Sequence, residues 1–380
     1  MARTDPALRI GIFGLRGLAP DLEITGFETA FAEIAPRLVA RGHAVTIYCR
    51  SAAHSASKRP AKIGGIALNY MPSPGGKNFS ALISTFLAVL HGLATRRFDV
   101  WLFVNVGMGH HCALARLSGR PVVMNVDGLD WTRAKWGPLA RTYFRSAARS
   151  AVRYCTTLIT DAVAMQEFYR AHFHRDSEMI AYGATIEDSR APEHLEPFGV
   201  TPGAYDLIVS RLIPENSLEQ MLDGFTRSAS ARQLLVVGGA NYEDAFHQRL
   251  RAIAERDARI RLLGQITDQD VLRELWCNAH VYLHGHSVGG TNPALLRAMG
   301  YGRCVLALDT VFNREVLVDR GRFFTDAASL AVVLNELDTT PDVVKNFGAQ
   351  ARERVREHYD WDAIADRYES VLRAATFAVA

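Results

Sequence analysis

Two glycine-bearing turns and a strand-end arginine carry most of the chemistry in this sequence. The run His284-Gly285-His286-Ser287-Val288-Gly289-Gly290-Thr291-Asn292-Pro293 follows a short apolar segment and precedes a helical one. The amides of Gly290, Thr291 and Asn292 then converge where the helix opens, and Pro293 suits its first position because it has no amide to leave unpaired. Such a turn cradles an anion. Arg211 stands at the tip of the apolar run Leu207 to Ser210, just before Leu212-Ile213-Pro214-Glu215-Asn216-Ser217. A cation there needs a partner, which a bidentately held diphosphate or a salt bridge to Glu215 would supply. Near the start of the chain, Gly14-Leu15-Arg16-Gly17 ends a first apolar run and Thr25-Gly26-Phe27-Glu28-Thr29 opens a helix. Amides at Gly26 suit a phosphate that Arg16 would neutralise, although glycine also serves turns that hold no ligand. The spacing is not G-x-G-x-x-G, so a dinucleotide fingerprint fails. No cysteine or carboxylate joins His284 and His286 to complete a metal set, and they read as structural histidines.

These turns need strands that end where helices begin. Leu8 to Phe13, an amphipathic stretch from Phe27 to Arg41 and Ala44 to Tyr48 read as strand, helix, strand, the pattern of a parallel crossover. Val100 to Val104, Val122 to Val126 and Leu158 to Thr160 continue the series as buried strands. Beyond the Pro/Gly-rich stretch Ala191 to Ala204 a second series begins. Its strands are Asp206 to Ser210, Gln233 to Val237, Ile260 to Leu263, Val281 to Leu283 and Cys304 to Leu308, and its helices lie at about Ser217 to Ser228, Ala245 to Arg256, Asp268 to Asn278 and Pro293 to Gly300. The fold class expected is α/β, as two tandem Rossmann-like doubly wound parallel sheets facing a cleft, with ligands outside the carboxyl ends of the strands.

The 380 residues, 48% hydrophobic and 22% charged, exclude a disordered or collagen-like chain and suggest two domains. Five scattered cysteines without a C-x-x-C pair indicate neither a disulfide framework nor a zinc site. Met1 to Arg9 lacks the form of a secretory signal, and the longest apolar run, Phe79 to Leu93, is interrupted by Ser80, Ser84, Thr85 and His91. A cytoplasmic protein that does not span a bilayer is therefore expected. The net charge of +3 hides an asymmetry, because residues 1–195 hold 23 Lys/Arg against 15 Asp/Glu, a net +8, and the remainder 20 against 25, a net −5. Trp131 to Thr160 has six basic residues, Arg133, Lys135, Arg141, Arg145, Arg149 and Arg153, and no acidic one. The last four recur every fourth residue and form one helical stripe beside Trp131, Trp136, Tyr143 and Phe144. The stripe is either a solvated face or a dock for anionic lipid or a phosphate-bearing acceptor. Nothing beside it reads nucleic acid.

The stretches GLRG with TGFETAFAEIAPRLVARGHAVTIYCR, NVDGLDWTRAKWGPLAR, LIVSRLIPENSLE, YLHGHSVGGTNPALLRAMGYG and LALDTVFNREVL resemble the retaining glycosyltransferases of family 4. Within that family the sequence is most similar to bacterial rhamnosyltransferases of polysaccharide assembly. The resemblance spans nearly the whole chain in the family's order. It implies the two-domain GT-B fold, with an acceptor-side domain over residues 1–195, a nucleotide-sugar-binding domain over 205–360, and a C-terminal helix within 361–380 that returns to the first domain.

It also implies roles. Gly26 matches the loop beside the donor diphosphate, and Arg211 matches the basic phosphate ligand. Asn216 stands where the family usually has a lysine, which leaves more of the charge to Arg211 and to the amides of Gly289, Gly290, Thr291 and Asn292. Gly289 and Arg297 occupy the two glutamate positions of the family's Glu-x7-Glu signature; a glutamate at the second accepts bonds from ribose hydroxyls, whereas arginine only donates. Asp127, with Asp130 as second choice, matches a polar group near the reacting sugar; the alternative for Asp127 is a helix cap or turn aspartate. Asn313, Arg314 and Glu315 match the segment NREV. Transfer of L-rhamnose from dTDP-L-rhamnose to a lipid-linked saccharide is implied, with no cofactor or metal. The alternatives are another nucleotide sugar, carrying UDP or GDP, a binding protein silenced by Arg297, and an epimerase of the same fold. Trp131, Arg133, Lys135, Arg141 and Arg145 would face the acceptor or the inner surface of the membrane.

Overall fold

The computed structural model describes residues 6–18, 26–54, 59–74, 76–95, 97–126, 128–129, 131, 136–239 and 245–378, with backbone alone at 77 and 78. Its contacts divide the chain into two units, residues 1–182 with 361–380, and residues 183–360. The stretch 183–204 thus belongs to the second unit. One reason is Glu274, whose fully buried carboxylate accepts from Ser189 Oγ at 2.5 Å, the Arg190 amide at 2.8 Å and the Ala191 amide at 3.1 Å. These bonds tie the connecting segment to the unit that supplies the carboxylate.

The first unit contains strands β1 (Arg9–Phe13), β2 (Ala44–Arg50), β3 (Lys62–Ile63), β4 (Ile66–Met71), β5 (Val100–Val104), β6 (Val122–Asn125), β7 (Thr157–Thr160) and β8 (Glu178–Met179). They form one sheet in the order β3-β4-β2-β1-β5-β6-β7-β8, parallel except at the β3–β4 edge. Its helices are α1 (Gly26–Ala40), α2 (Gly76–Thr95), α3 (Gly109–Ala115), α4 (Pro138–Tyr154), α5 (Val163–Phe173) and the C-terminal α13 (Trp361–Phe377). All five residues of β5 are buried, as befits a central parallel strand covered on both faces. Phe13 stacks between Tyr48, Trp101 and Phe103 at ring distances of 4.7 to 5.0 Å, fixing the register of the middle strands. Helix α13 lies on α1, with Tyr368 edge-on to Phe31 and its hydroxyl accepting from Asn125 Nδ2.

The second unit is a sheet of β9 (Tyr205–Val209), β10 (Gln233–Val237), β11 (Ile260–Gly264), β12 (Val281–His284), β13 (Cys304–Leu308) and β14 (Arg322–Phe324). Every pairing is parallel and the order is β11-β10-β9-β12-β13-β14. Renumbered within the unit, this is the doubly wound order 3-2-1-4-5-6. Helices α6 (Leu218–Arg227), α7 (Ala245–Arg256), α8 (Gln269–Cys277), α9 (Pro293–Gly300), α10 (Val311–Leu317), α11 (Ala327–Thr339) and α12 (Pro341–His358) flank it. Ile208, Leu234, Leu283, Leu306, Phe225 and Phe324 form its core. Burying a side chain such as Phe225 contributes roughly 1.5–3 kcal/mol.

The expected α/β architecture of two tandem doubly wound sheets is what the chain adopts. Helices at Ala245–Arg256 and Pro293–Gly300 and strands at Val100–Val104, Gln233–Val237 and Cys304–Leu308 run between the expected residues. The structure adds β3, β4, β8 and β14, which are sheet-edge strands or next to an edge.

Candidate functional site

In a doubly wound sheet the strand order reverses at one point, and the loops on either side of it diverge to leave a crevice outside the carboxyl ends. In the second unit that point lies between β9 and β12. The loop after β9 carries Arg211 and Asn216, and the loop after β12 carries Gly285 to Asn292.

The two loops are latched together. The carbonyl of Glu215 accepts from the Ser287 amide at 3.0 Å and from Ser287 Oγ at 2.8 Å. The buried side chain of Asn216 donates through Nδ2 to the Arg211 carbonyl at 2.7 Å and accepts through Oδ1 from His286 Nδ1 at 2.8 Å. Asn313, buried in α10, donates to the carbonyls of His286 at 3.1 Å and Leu308 at 2.8 Å, bringing the loop after β13 into the same frame. Gly285 makes the fit possible. A Cβ there would lie 2.7 Å from Met221 Cε and closer still to the Asn216 carbonyl oxygen.

Arg211 is exposed at the tip of β9, where a bound anion could reach it. Asn216, expected at the donor, has both polar ends of its side chain bonded within the loops, so it positions them instead. Gly289 has φ +102°, a conformation that glycine adopts without strain. Asn292, also expected to bind, is the N-cap of α9, its Oδ1 accepting from the Ala294 amide at 2.9 Å. Gly290 is half-buried and Thr291 buried in the turn before it. Arg297 sits in the second turn of α9 and is half-buried. Burial pushes the hydroxyls of Tyr282 and Tyr301 up, and the Arg297 charge opposes the shift at both. The Arg297 charge therefore acts on both hydroxyls. The Tyr282 hydroxyl in turn donates to the Val209 carbonyl at the end of β9.

Burial drives the fully enclosed His284 down to about 3, with the neighbouring His286 charge adding to the effect, so its ring is neutral near pH 7. Among the described residues no group of three His, Cys, Asp or Glu side chains is placed to hold a metal ion.

In the first unit the order reverses between β1 and β5. Gly14 after β1 has φ +102°, and a Cβ on it would lie 2.5 Å from the Val104 carbonyl oxygen, so the loops after β1 and β5 press together. The Arg16 amide donates to Glu28 Oε1 at 2.8 Å, and Glu28 is buried in the first turn of α1, which begins at Gly26. The Arg16 carbonyl accepts from the Arg50 amide at 2.9 Å. Burial, the charge of Arg16 and, in opposition, Glu28 act on Arg50, whose pKa is lowered. Arg50 was not anticipated, although it ends β2 as Arg211 follows β9. Asn105 after β5 was also missed. It has φ 72° and its Oδ1 accepts from the Gly107 amide at 2.8 Å.

Asp127, Asp130, Arg133 and Lys135 lie outside the described residues. Trp131 is buried against Phe168 and Phe173, a correction to its expected place on an acceptor or membrane surface. Its indole is more stable in that aromatic pocket than in water. Arg145, Arg149 and Arg153 are exposed along α4, and Arg141 is half-buried.

Residues 25–183 match the glycosyl transferase 4-like domain and residues 206–340 match the glycosyl transferases group 1 family. The fold is similar to sucrose-phosphate synthase from Thermosynechococcus elongatus, with a TM-score of 0.80 at 16% identity over 98% of this chain and 100% of that one. It is similar to Anabaena HepE in complex with UDP and glucose, with a TM-score of 0.78 at 16% identity over 97% of this chain and 100% of that one. A glycosyltransferase from Rickettsia africae matches with a TM-score of 0.70 at 13% identity over 97% of this chain and 98% of that one.

Proposed function

We propose that this chain, a glycosyltransferase of GT-B type by its two matched domains, moves a sugar from a nucleotide diphosphate to a hydroxyl acceptor with retention of configuration. The observation that carries this reading is the latch between the loops after β9 and β12, which holds Arg211 and the Gly289-Gly290 turn at the reversal point of the second sheet. The solved complexes of HepE with UDP and UDP-glucose favour a nucleotide sugar as donor. The motif resemblance favours L-rhamnose from dTDP-L-rhamnose, with a lipid-linked saccharide as acceptor and surface polysaccharide as the product's destination.

In this reading the acceptor oxygen bonds to the anomeric carbon as the bond from that carbon to the diphosphate oxygen breaks on the same face. The acceptor proton passes to the departing diphosphate. Arg211 and the amides around Gly290 stabilise the charge that grows there, Arg16 and Arg50 add positive charge at the first sheet, and Asp127 orients a sugar hydroxyl. The reading requires no cofactor and no metal.

Peripheral contact with an anionic membrane is part of the proposal. The side-by-side helices α2, α3 and α4 contain no acidic residue. They expose Phe79, Phe86 and Leu90 on one face of α2, Leu139 at the start of α4, and Arg145, Arg149 and Arg153 along α4. Apolar side chains beside basic ones suit a lipid headgroup layer. No helix among the described residues is long and apolar enough to cross a membrane.

The test is thermal stability with dTDP-L-rhamnose, UDP-glucose and a GDP sugar in turn. A ligand at about 100 times its Kd adds about 2.7 kcal/mol, a shift of several degrees. We expect a selective shift that Arg211→Ala abolishes, and no shift with any nucleotide sugar sinks the proposal. A second reading, binding without turnover, is favoured by Arg297 at the position of the family glutamate. It is distinguished by a donor shift without transfer to any lipid-linked acceptor.

A further inference from the structure

We infer that the second unit carries a separate phosphate site at the amino ends of β12 and β13, one strand length away from the nucleotide-sugar loops. A cavity of about 400 Å³ opens there, lined by His280, Arg303, Lys345 and Arg352 among others. It is large enough for a small phosphate ester. Strands of four and five residues put it roughly 13–17 Å from the loops at the other end of the sheet.

The cavity exists because α12 descends onto the turn before β13. A Cβ at Gly348 would strike the Gly302 carbonyl, so this helix touches backbone to backbone and leaves Lys345 and Arg352 flanking the opening. Arg303 donates to two carbonyls, Tyr301 through Nε and Ala279 through Nη1, each at 3.0 Å, and among the described residues no carboxylate pairs with it. The half-buried guanidinium is thus hydrogen-bonded only to neutral oxygens, with Asp188 acting on it through space, and a phosphate would supply the directly bonded anionic acceptor it lacks. Lys345 is exposed and likewise has no acidic partner among the described residues. The acidic groups nearby have other partners, and Asp338 also stands 3.9 Å from His280 Nε2 at the cavity. Asp188 takes both ends of Arg352 at 2.6 and 2.9 Å, and Asp338 is paired with Arg232.

The ligand class is a phosphate dianion, free or as a small monoester. The experiment is calorimetric titration of the whole chain with sodium phosphate and with glycerol 3-phosphate, at constant ionic strength set by chloride. Saturable binding is expected in the wild type, weakened roughly tenfold by Lys345→Glu and unchanged by Arg211→Ala. Lys345 is exposed, so its replacement leaves the fold intact. Tighter binding of glycerol 3-phosphate identifies an ester as the ligand, and equal binding identifies free phosphate; both sustain the site. Binding that survives Lys345→Glu but disappears in Arg211→Ala places the anion at the sugar-nucleotide loops and overturns the inference. So does the absence of saturable binding.

Discussion

Replacing Gly285 by alanine tests whether the latched loops are the working part of the second unit. The new methyl would sit 2.7 Å from Met221 Cε and nearer still to the Asn216 carbonyl oxygen, one flexible and one backbone neighbour. Met221 can turn aside. The carbonyl cannot, because the Asn216 side chain is anchored to His286 and to the Arg211 carbonyl. The loops after β9 and β12 must therefore part by about 1 Å, and a displacement of that size near reacting groups costs on the order of 100-fold in rate. The same overpacking costs about 1–3 kcal/mol of stability. Both quantities are measurable on one preparation, the first as kcat/KM for sugar transfer or as donor affinity, the second as a urea midpoint. Gly137→Ala, where a Cβ meets nothing within 4 Å, is the control. If Gly285→Ala folds, loses stability as expected and binds nucleotide sugar with wild-type affinity, the loops do not form the donor site and the reasoning fails.

Asp206 is fully buried at the start of β9, and desolvation, with the charge of Asp338 adding to it, pushes its carboxyl up to about 7. A raised folded-state value means stability that is complete below the unfolded value near 3.8 and lost as pH rises through 7. Over that interval, at about 1.4 kcal/mol per pH unit, the loss reaches ~4 kcal/mol; Asp206→Asn should flatten the decline in urea titrations across that same interval, from the unfolded value up to about 7, and an unchanged slope there refutes it. Glu274 is the opposite case. Burial alone would raise its carboxyl, but bonds from Ser189, Arg190, Ala191 and Arg273 hold it at about 2, so its contribution is complete above the unfolded value of 4.5 and is lost as pH falls from there through about 2. Glu274→Ala leaves those donors unpaired and should cost ~3 kcal/mol by thermal melting, with faster proteolysis of 187–191. Asn105→Gly should leave stability within a few tenths of a kcal/mol, whereas Asn105→Ala, forced to φ 72° without its bond to Gly107, should cost roughly 1–2 kcal/mol by the same assay.

The strands that could be read in the sequence are those whose surroundings leave no choice. Val100–Val104 and Cys304–Leu308 are apolar at nearly every position because helices cover both faces. Edge strands such as Lys62–Ile63 and Arg322–Phe324 are short and partly polar, since one side meets water, and they have no pattern to distinguish them from loops. The loops at the second sheet were legible for a similar reason, because glycine, proline and a strand-end arginine are each needed for local geometry. What each side chain in them does was not. The Asn216 side chain is taken up as a latch to His286, and the Asn292 side chain caps α9 at Ala294, a role separate from the amide expected of it. Trp131 looked like part of a basic surface, and only the distant Phe168 and Phe173 reveal that it is buried.

The chain's path gives α13 a significance beyond packing. Residues 183–360, the entire second unit, are interposed between the body of the first unit and the helix that closes over Phe31 and Asn125. On a ribosome moving at roughly 5–20 residues per second, that detour takes on the order of 10–35 s. For all of it the nascent first domain has an uncapped apolar flank on α1 and an unpaired amide at Asn125, while its neighbour is made and folded. The first unit is thus completed only after the second has been made, and its demand for chaperones should persist until α13 emerges.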